Sequence, residues 1–87
     1  MEIEEQIEKL AKEIEGLDAE IEKVQGEWLD EVKEYSSKPN FDNYSKETQK
    51  MFRKISDKYT PIIAELEAER ELLIEEHNSL IDELEKN

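Results

Sequence analysis

The chain has no cysteine, which excludes disulfides, thiolate zinc centres and cysteine nucleophiles. It has two glycines, each standing alone, so no Gly-rich loop is present to cradle a phosphate. Its one histidine, His77, has Leu73, Ile74, Leu80 and Ile81 three and four residues away, and none of these is a metal ligand. No apolar run approaches the roughly 18 residues of a membrane span. Met1 is followed by acidic residues rather than a basic stretch and an apolar core, so no signal peptide is expected. These absences give the expectation of a soluble, cytoplasmic protein that does not associate with membranes.

Positive charge is scarce too. Lys and Arg number 12 against 25 Asp and Glu, a formal net charge of −13. Such a charge repels phosphate backbones and is attracted to basic surfaces. No direct nucleic-acid binding is expected, and a protein partner with a basic surface is.

Adjacent carboxylates abound (Glu4-Glu5, Glu75-Glu76, Asp82-Glu83). Acid–base catalysis needs carboxylates with shifted pKa values in a shielded pocket, whereas these fall on the polar faces of helices. The segment Asn40-Phe41-Asp42-Asn43 lacks the Gly and the bidentate Glu of a calcium loop. The expectation is a chain that is not an enzyme and uses no cofactor, metal or small-molecule substrate.

With 87 residues there is room for one domain, residues 1–87. Leu, Ile, Val and Phe supply 21 residues, close to the level at which a charged chain stays disordered. Their order argues for structure. Ile3, Ile7, Leu10, Ile14, Leu17, Ile21, Val24 and Trp28 are spaced by alternating steps of four and three, the narrow apolar seam of a coiled coil. After Trp28 the pattern loosens to Leu29, Val32 and Tyr35. Ser, Pro, Asn and Asp then cluster over residues 37–44 and predict a turn, with Ser45 as the N-cap of a second helix. That helix is predicted over about 45–86, its inner face carrying Phe52, Ile55, Tyr59, Ile62, Leu66, Leu73, His77, Leu80 and Leu84. Pro61 predicts a kink or break near 60–61, with the apolar face keeping its phase across it. His77 falls in the seam, where protonation would weaken an interface.

The fold class read from this pattern is all-α: an antiparallel helical hairpin, helix 1 over about 2–36 and helix 2 over about 45–86. A turn centred near Asn40 sets Ile21 against Tyr59, Ile14 against Leu66 and Ile7 against Leu73. Leu80, Ile81 and Leu84 would then overhang the start of helix 1. The apolar stripe of the last helix is broader than one narrow seam can cover. Two-helix hairpins also have little core for their surface. Both points suggest a homodimer forming a four-helix bundle.

Charge and aromatics are unevenly distributed. Residues 1–35 carry a net −9, residues 36–60 a net +3, and residues 61–87 a net −7. In a hairpin this makes an acidic stem and a basic tip. All six aromatics (Trp28, Tyr35, Phe41, Tyr44, Phe52, Tyr59) fall in the tip half. They either plug the turn or, at Phe41 and Tyr44, offer anchors to a partner. Lys46, Lys50, Lys54 and Lys58 form an exposed row that could bind an acidic group or pair with Glu27, Glu31 and Glu34. The candidate partner-binding residues are thus Phe41, Tyr44, Lys46, Lys50, Lys54, Leu80, Ile81 and Leu84. The function expected is that of an acidic coiled-coil interaction protein that docks on a larger protein and regulates or inhibits it. The alternatives are a nucleic-acid mimic blocking a basic groove, and a structural spacer or self-assembling scaffold.

Overall fold

A computed structural model describes residues 2–86. It is built of two helices, α1 (Ile3–Ser36) and α2 (Lys46–Lys86), lying side by side in a rod of 65 × 16 × 15 Å. The described residues contain no strand. At 1.5 Å per residue α2 alone is about 60 Å long, so α2 sets the length of the rod.

Polar side chains close the helix ends at the turn. Ser36 Oγ donates to the Val32 carbonyl at 2.8 Å and Ser37 Oγ to the Glu34 carbonyl at 2.9 Å, serving two of the carbonyls left open at the end of α1. Lys38-Pro39-Asn40-Phe41 then forms a turn closed by the Phe41 N–H donating to the Lys38 carbonyl at 3.2 Å. Proline sits at the position whose φ it presets, and Asn40 takes the left-handed conformation (φ 69°) required next. Asp42 Oδ1 accepts from the Tyr44 N–H at 3.0 Å. Ser45 is the N-cap of α2: its Oγ accepts from the Thr48 N–H at 3.1 Å and donates to Thr48 Oγ1 at 2.9 Å. Thr48 is 2% exposed, the most deeply buried side chain among the described residues.

α2 is a single helix through Pro61, so of the kink or break expected near 60–61 the break does not occur. The physical reason lies in the side on which the proline falls. Pro61 has no N–H to give the Asp57 carbonyl, but both residues are exposed and water can take the vacant acceptor. Pro61→Ala restores that bond and is expected to stabilise the hairpin by about 1–3 kcal/mol. Urea unfolding followed by circular dichroism would show this as a higher midpoint with an unchanged slope.

The register differs from the expected one by one heptad along α1. Tyr59 stacks on Trp28, not Ile21, with ring centroids 6.0 Å apart and planes 11° from parallel. Tyr35 meets Phe52 edge to face at 5.8 Å, Lys58 reaches Glu31 at 3.1 Å, and Arg70 pairs with Asp18. These contacts put Ile21 level with Leu66, Ile14 with Leu73, Ile7 with Leu80 and Ile3 with Leu84. The overhang expected for Leu80, Ile81 and Leu84 is therefore absent. The surplus length of α2 lies at the other end, where its first turn projects beyond Ser36. The loop folds back over that turn and seats Phe41 on Phe52 and Tyr35, at 6.3 and 5.9 Å.

Burial also corrects the phase of the seam after Tyr59. Ile62, expected inside, is 42% exposed, and Ile63 is half-buried in its place. Two consecutive four-residue steps, Ile55 to Tyr59 to Ile63, replace the four-three alternation. α1 makes the same double step at the same level, Val24 to Trp28 to Val32, each of them half-buried. A strict heptad stripe drifts about 20° per repeat around a straight helix, and an added four-residue step opposes the drift. Matching the steps across the hairpin keeps the two seams face to face. Past Ile63 the inner face runs through Leu66, Arg70, Leu73, His77 and Leu80, all half-buried. Only Leu10, Ile55 and Tyr59 are buried apolar residues among those described.

Candidate protein-interaction surfaces

No helix among the described residues is long and apolar enough to cross a membrane. Among those residues no group of three or more His, Asp or Glu side chains is placed to hold a metal ion. What the rod offers is surface, and its two flanks differ.

In an antiparallel pair, the residues just before alternate seam positions share one flank, and those just after the others share the opposite flank. On the first flank α1 places Gln6, Glu13, Glu20, Glu27 and Glu34, and α2 places Lys58, Glu69, Glu76 and Glu83. The structure shows this pairing directly: Gln6, Leu10 and Glu13 line one shallow groove with Leu73, Glu76 and Leu80. Nearer the tip, Glu31, Glu34 and Tyr35 line another with Met51 and Ile55. At the outer edge of this acidic flank stands Leu72, 66% exposed, with Glu65, Glu69, Glu75 and Glu76 as its helical neighbours.

On the second flank the residues following the seam are mixed: Ala11, Ile74 and Ile81 are half-buried, Glu4, Asp18, Gln25 and Glu67 are exposed, and Val32 and Ile63 border the flank from the seam. Asp18, Ile21, Glu67, Arg70 and Ile74 line a groove there, and Gln25, Trp28, Leu29 and Val32 line an apolar one nearer the tip. Leu29 is 52% exposed.

The candidate residues read from the sequence separate in the structure. Phe41 is half-buried in the aromatic cluster with Tyr35 and Phe52, so it closes the turn rather than standing free. Tyr44, three residues on, is 85% exposed. Lys46, Lys50 and Lys54 are exposed, Leu80 and Ile81 half-buried, and Leu84 39% exposed. Ile7, Ile14, Leu17, Ile21, Val24, Trp28, Phe52, Leu66, Leu73 and His77 are half-buried along the seam beside Leu10, Ile55 and Tyr59. Sequence reasoning missed Leu72 and Leu29. Both are leucines off the seam, and that displacement is their signal.

A polar cluster bridges the two helices on the acidic flank. The Glu31 carboxylate accepts from Lys58 Nζ at 3.1 and 3.3 Å. Hydrogen bonds from the Tyr59 hydroxyl and then from Lys58 hold Glu31 below the ordinary carboxylate value of 4.5. The same bonds to Glu31 push Lys58 above 10.5 and the Tyr59 hydroxyl above 10.0. Tyr59 is 5% exposed as a residue, and Glu31 serves as the acceptor for its hydroxyl. The depressed Glu31 value makes its contribution to stability present above pH 4.5 and lost as pH falls through the folded-state value. The raised Tyr59 and Lys58 values make theirs present below pH 10.0 and lost as pH climbs through the folded-state values. Glu31→Gln is therefore expected to narrow the stability difference from wild type at about pH 3 and again above about pH 11. Thermal melts across pH would check this.

Comparison with models of known protein families, with curated proteins and with solved structures finds no match to this chain.

Proposed function

We propose that this chain is a non-catalytic interaction protein, a coiled-coil hairpin kinked at Pro61 that docks through its acidic flank on a larger protein with a basic surface and regulates or inhibits it. The observation that carries this reading is Leu72, a leucine 66% exposed within a ring of glutamates. An apolar side chain surrounded by like charges suits a partner pocket with a basic rim: the leucine supplies the desolvated anchor and the rim supplies orientation and on-rate. The reading includes self-association of the hairpin into a four-helix bundle, which would cover apolar residues that one seam leaves half-exposed.

The regular carboxylates favour a second reading. Glu13, Glu20, Glu27 and Glu34 recur every seven residues, about 10 Å apart along the helix. A row of that kind could occupy the basic groove of a nucleic-acid-binding protein as a mimic. Lys58 and the exposed Lys54 interrupt it near the tip.

One experiment tests both. The tagged protein is used to capture partners from lysate of the source cell, with Leu72→Asp and a Glu13/Glu20/Glu69/Glu76→Gln variant alongside and washes at low and high salt. The docking reading expects a partner that survives high salt and is lost with Leu72→Asp. The mimic reading expects nucleic-acid-binding proteins that leave in high salt and are lost with the glutamine variant. No specific partner for the wild type would overturn both and leave the structural scaffold.

A further inference from the structure

We infer that the apolar flank, the one carrying Leu29, Val32, Ile63, Ile74 and Ile81, is the surface on which a second copy of this chain docks, with the two rods antiparallel. The inference rests on the self-association included in the function proposed above and goes beyond it by naming the face and the direction.

Surface area gives the first argument. The hairpin exposes 6929 Å². A compact chain of 10.3 kDa exposes about 5,400 Å² by the usual scaling of surface with mass. The excess, about 1,500 Å², exceeds the roughly 800 Å² that each partner buries in a standard interface. The face is long enough as well, since the rod runs 65 Å and is 16 Å wide.

The choice of flank follows from charge. A second copy on the acidic flank would set Glu13, Glu20, Glu69 and Glu76 of one chain against the same carboxylates of the other. The opposite flank carries isoleucines, Val32 and Leu29 and fewer carboxylates: its Asp18 is paired with Arg70, and Glu4 and Glu67 stand exposed. Apolar residues half-buried by one hairpin finish their burial against another.

The direction is set by the outer edge of that flank. Near the tip the edge carries Lys46 and Arg53, and along the stem it carries Glu8, Glu15, Glu22, Glu71 and Glu85. Parallel rods would lay glutamates against glutamates. Antiparallel rods about an axis near Leu66 bring Arg53 beside the partner copy's stem at the level of Glu8, and Lys46 beside the level of Glu85. The same axis sets Leu29 at the level of Ile74. This arrangement leaves the acidic flank and Leu72 of both copies outward, so one surface joins the copies while the other stays free.

The test combines sedimentation with pulsed electron spin distance measurement on the full chain, whose lack of cysteine allows a single label. Wild type is expected to sediment as a dimer, Leu29→Glu as a monomer of unchanged helicity, and Leu72→Glu, the control leucine off this face, as a dimer. A spin label at Lys50→Cys, on the outer face near the tip, is expected to give a distance of about 50 Å in the antiparallel dimer and about half that in a parallel one. Wild type that stays monomeric at millimolar concentration overturns self-association itself. A dimer that survives Leu29→Glu overturns the face, and a dimer with the short label distance overturns the direction, each leaving self-association standing.

Discussion

Replacing Trp28 with Ala is expected to cost the hairpin about 3 kcal/mol, among the largest losses available to a single substitution in this chain. The indole stacks on Tyr59, one of three buried apolar residues, and it stands at the centre of the double four-residue step on α1. Removing it leaves a cavity that the two helices cannot close by collapsing, because the glutamates on the acidic flank resist closer approach. For a domain of this size each kcal/mol moves the melting temperature by about 4–8 °C, so the variant should melt some 12 °C or more below wild type. Leu72→Ala truncates an exposed leucine on the outer face and is expected to leave the melt within a degree or two of wild type, since it touches no seam. Differential scanning calorimetry on the two variants, at a protein concentration held fixed, decides the matter. Equal small losses would mean that the aromatic stack is ornamental and that the aliphatic heptads carry the fold.

Much of this architecture was legible in the sequence, and the parts that were not share a physical cause. The helix ends were readable because Ser45, Pro39 and Asn40 each have one conformational use at their positions. The seam of α1 was readable because apolar residues at alternating steps of four and three can face only one way on a helix. Register was not readable from those positions. Ile7, Ile14 and Ile21 repeat every seven residues, so sliding α1 by one heptad brings one isoleucine where another had been. The slide also moves an overhang from one end of the rod to the other, which is why Leu80 and Leu84 were expected to project. The position of Ile62 failed for a related reason: assuming an unbroken four-three alternation through Pro61 selects Ile62, whereas the matched double step selects Ile63. The aromatic tip was legible as a cluster. Which of Phe41 and Tyr44 faced inward depended on the left-handed turn at Asn40 and the fold-back of the loop, and spacing carries no signal for that.

The degeneracy of the heptads makes register a property that specific residues must enforce. Four contacts on the two helices are unlike anything one heptad away: the Trp28–Tyr59 stack, the Glu31 carboxylate bound to Lys58 and Tyr59, Tyr35 against Phe52, and the Arg70–Asp18 pair, where the slide would set Ala11 in place of Asp18. Along most of the rest of the seam the slide exchanges one aliphatic residue for another. Substituting leucine for both Trp28 and Tyr59 would keep the apolar area while removing the stack and the hydroxyl that Glu31 accepts. The double variant is expected to remain helical and to populate two registers. A gap of about 3 kcal/mol between registers keeps the slipped form below about 1%, and its loss brings the two toward parity, a shift of some hundredfold. Cysteine pairs report each register in a chain that has no other thiol. Glu20→Cys with Glu69→Cys lie level on the acidic flank in the observed register, and Glu13→Cys with Glu69→Cys lie level only after the slide. In an otherwise wild-type chain a short bifunctional maleimide should join the first pair and leave the second unjoined. In the leucine double variant both pairs should be joined in comparable yield. If the slipped pair stayed unreacted there, the loop, Phe52 and the Arg70–Asp18 pair would be sufficient to set the register, and the stack would contribute stability alone.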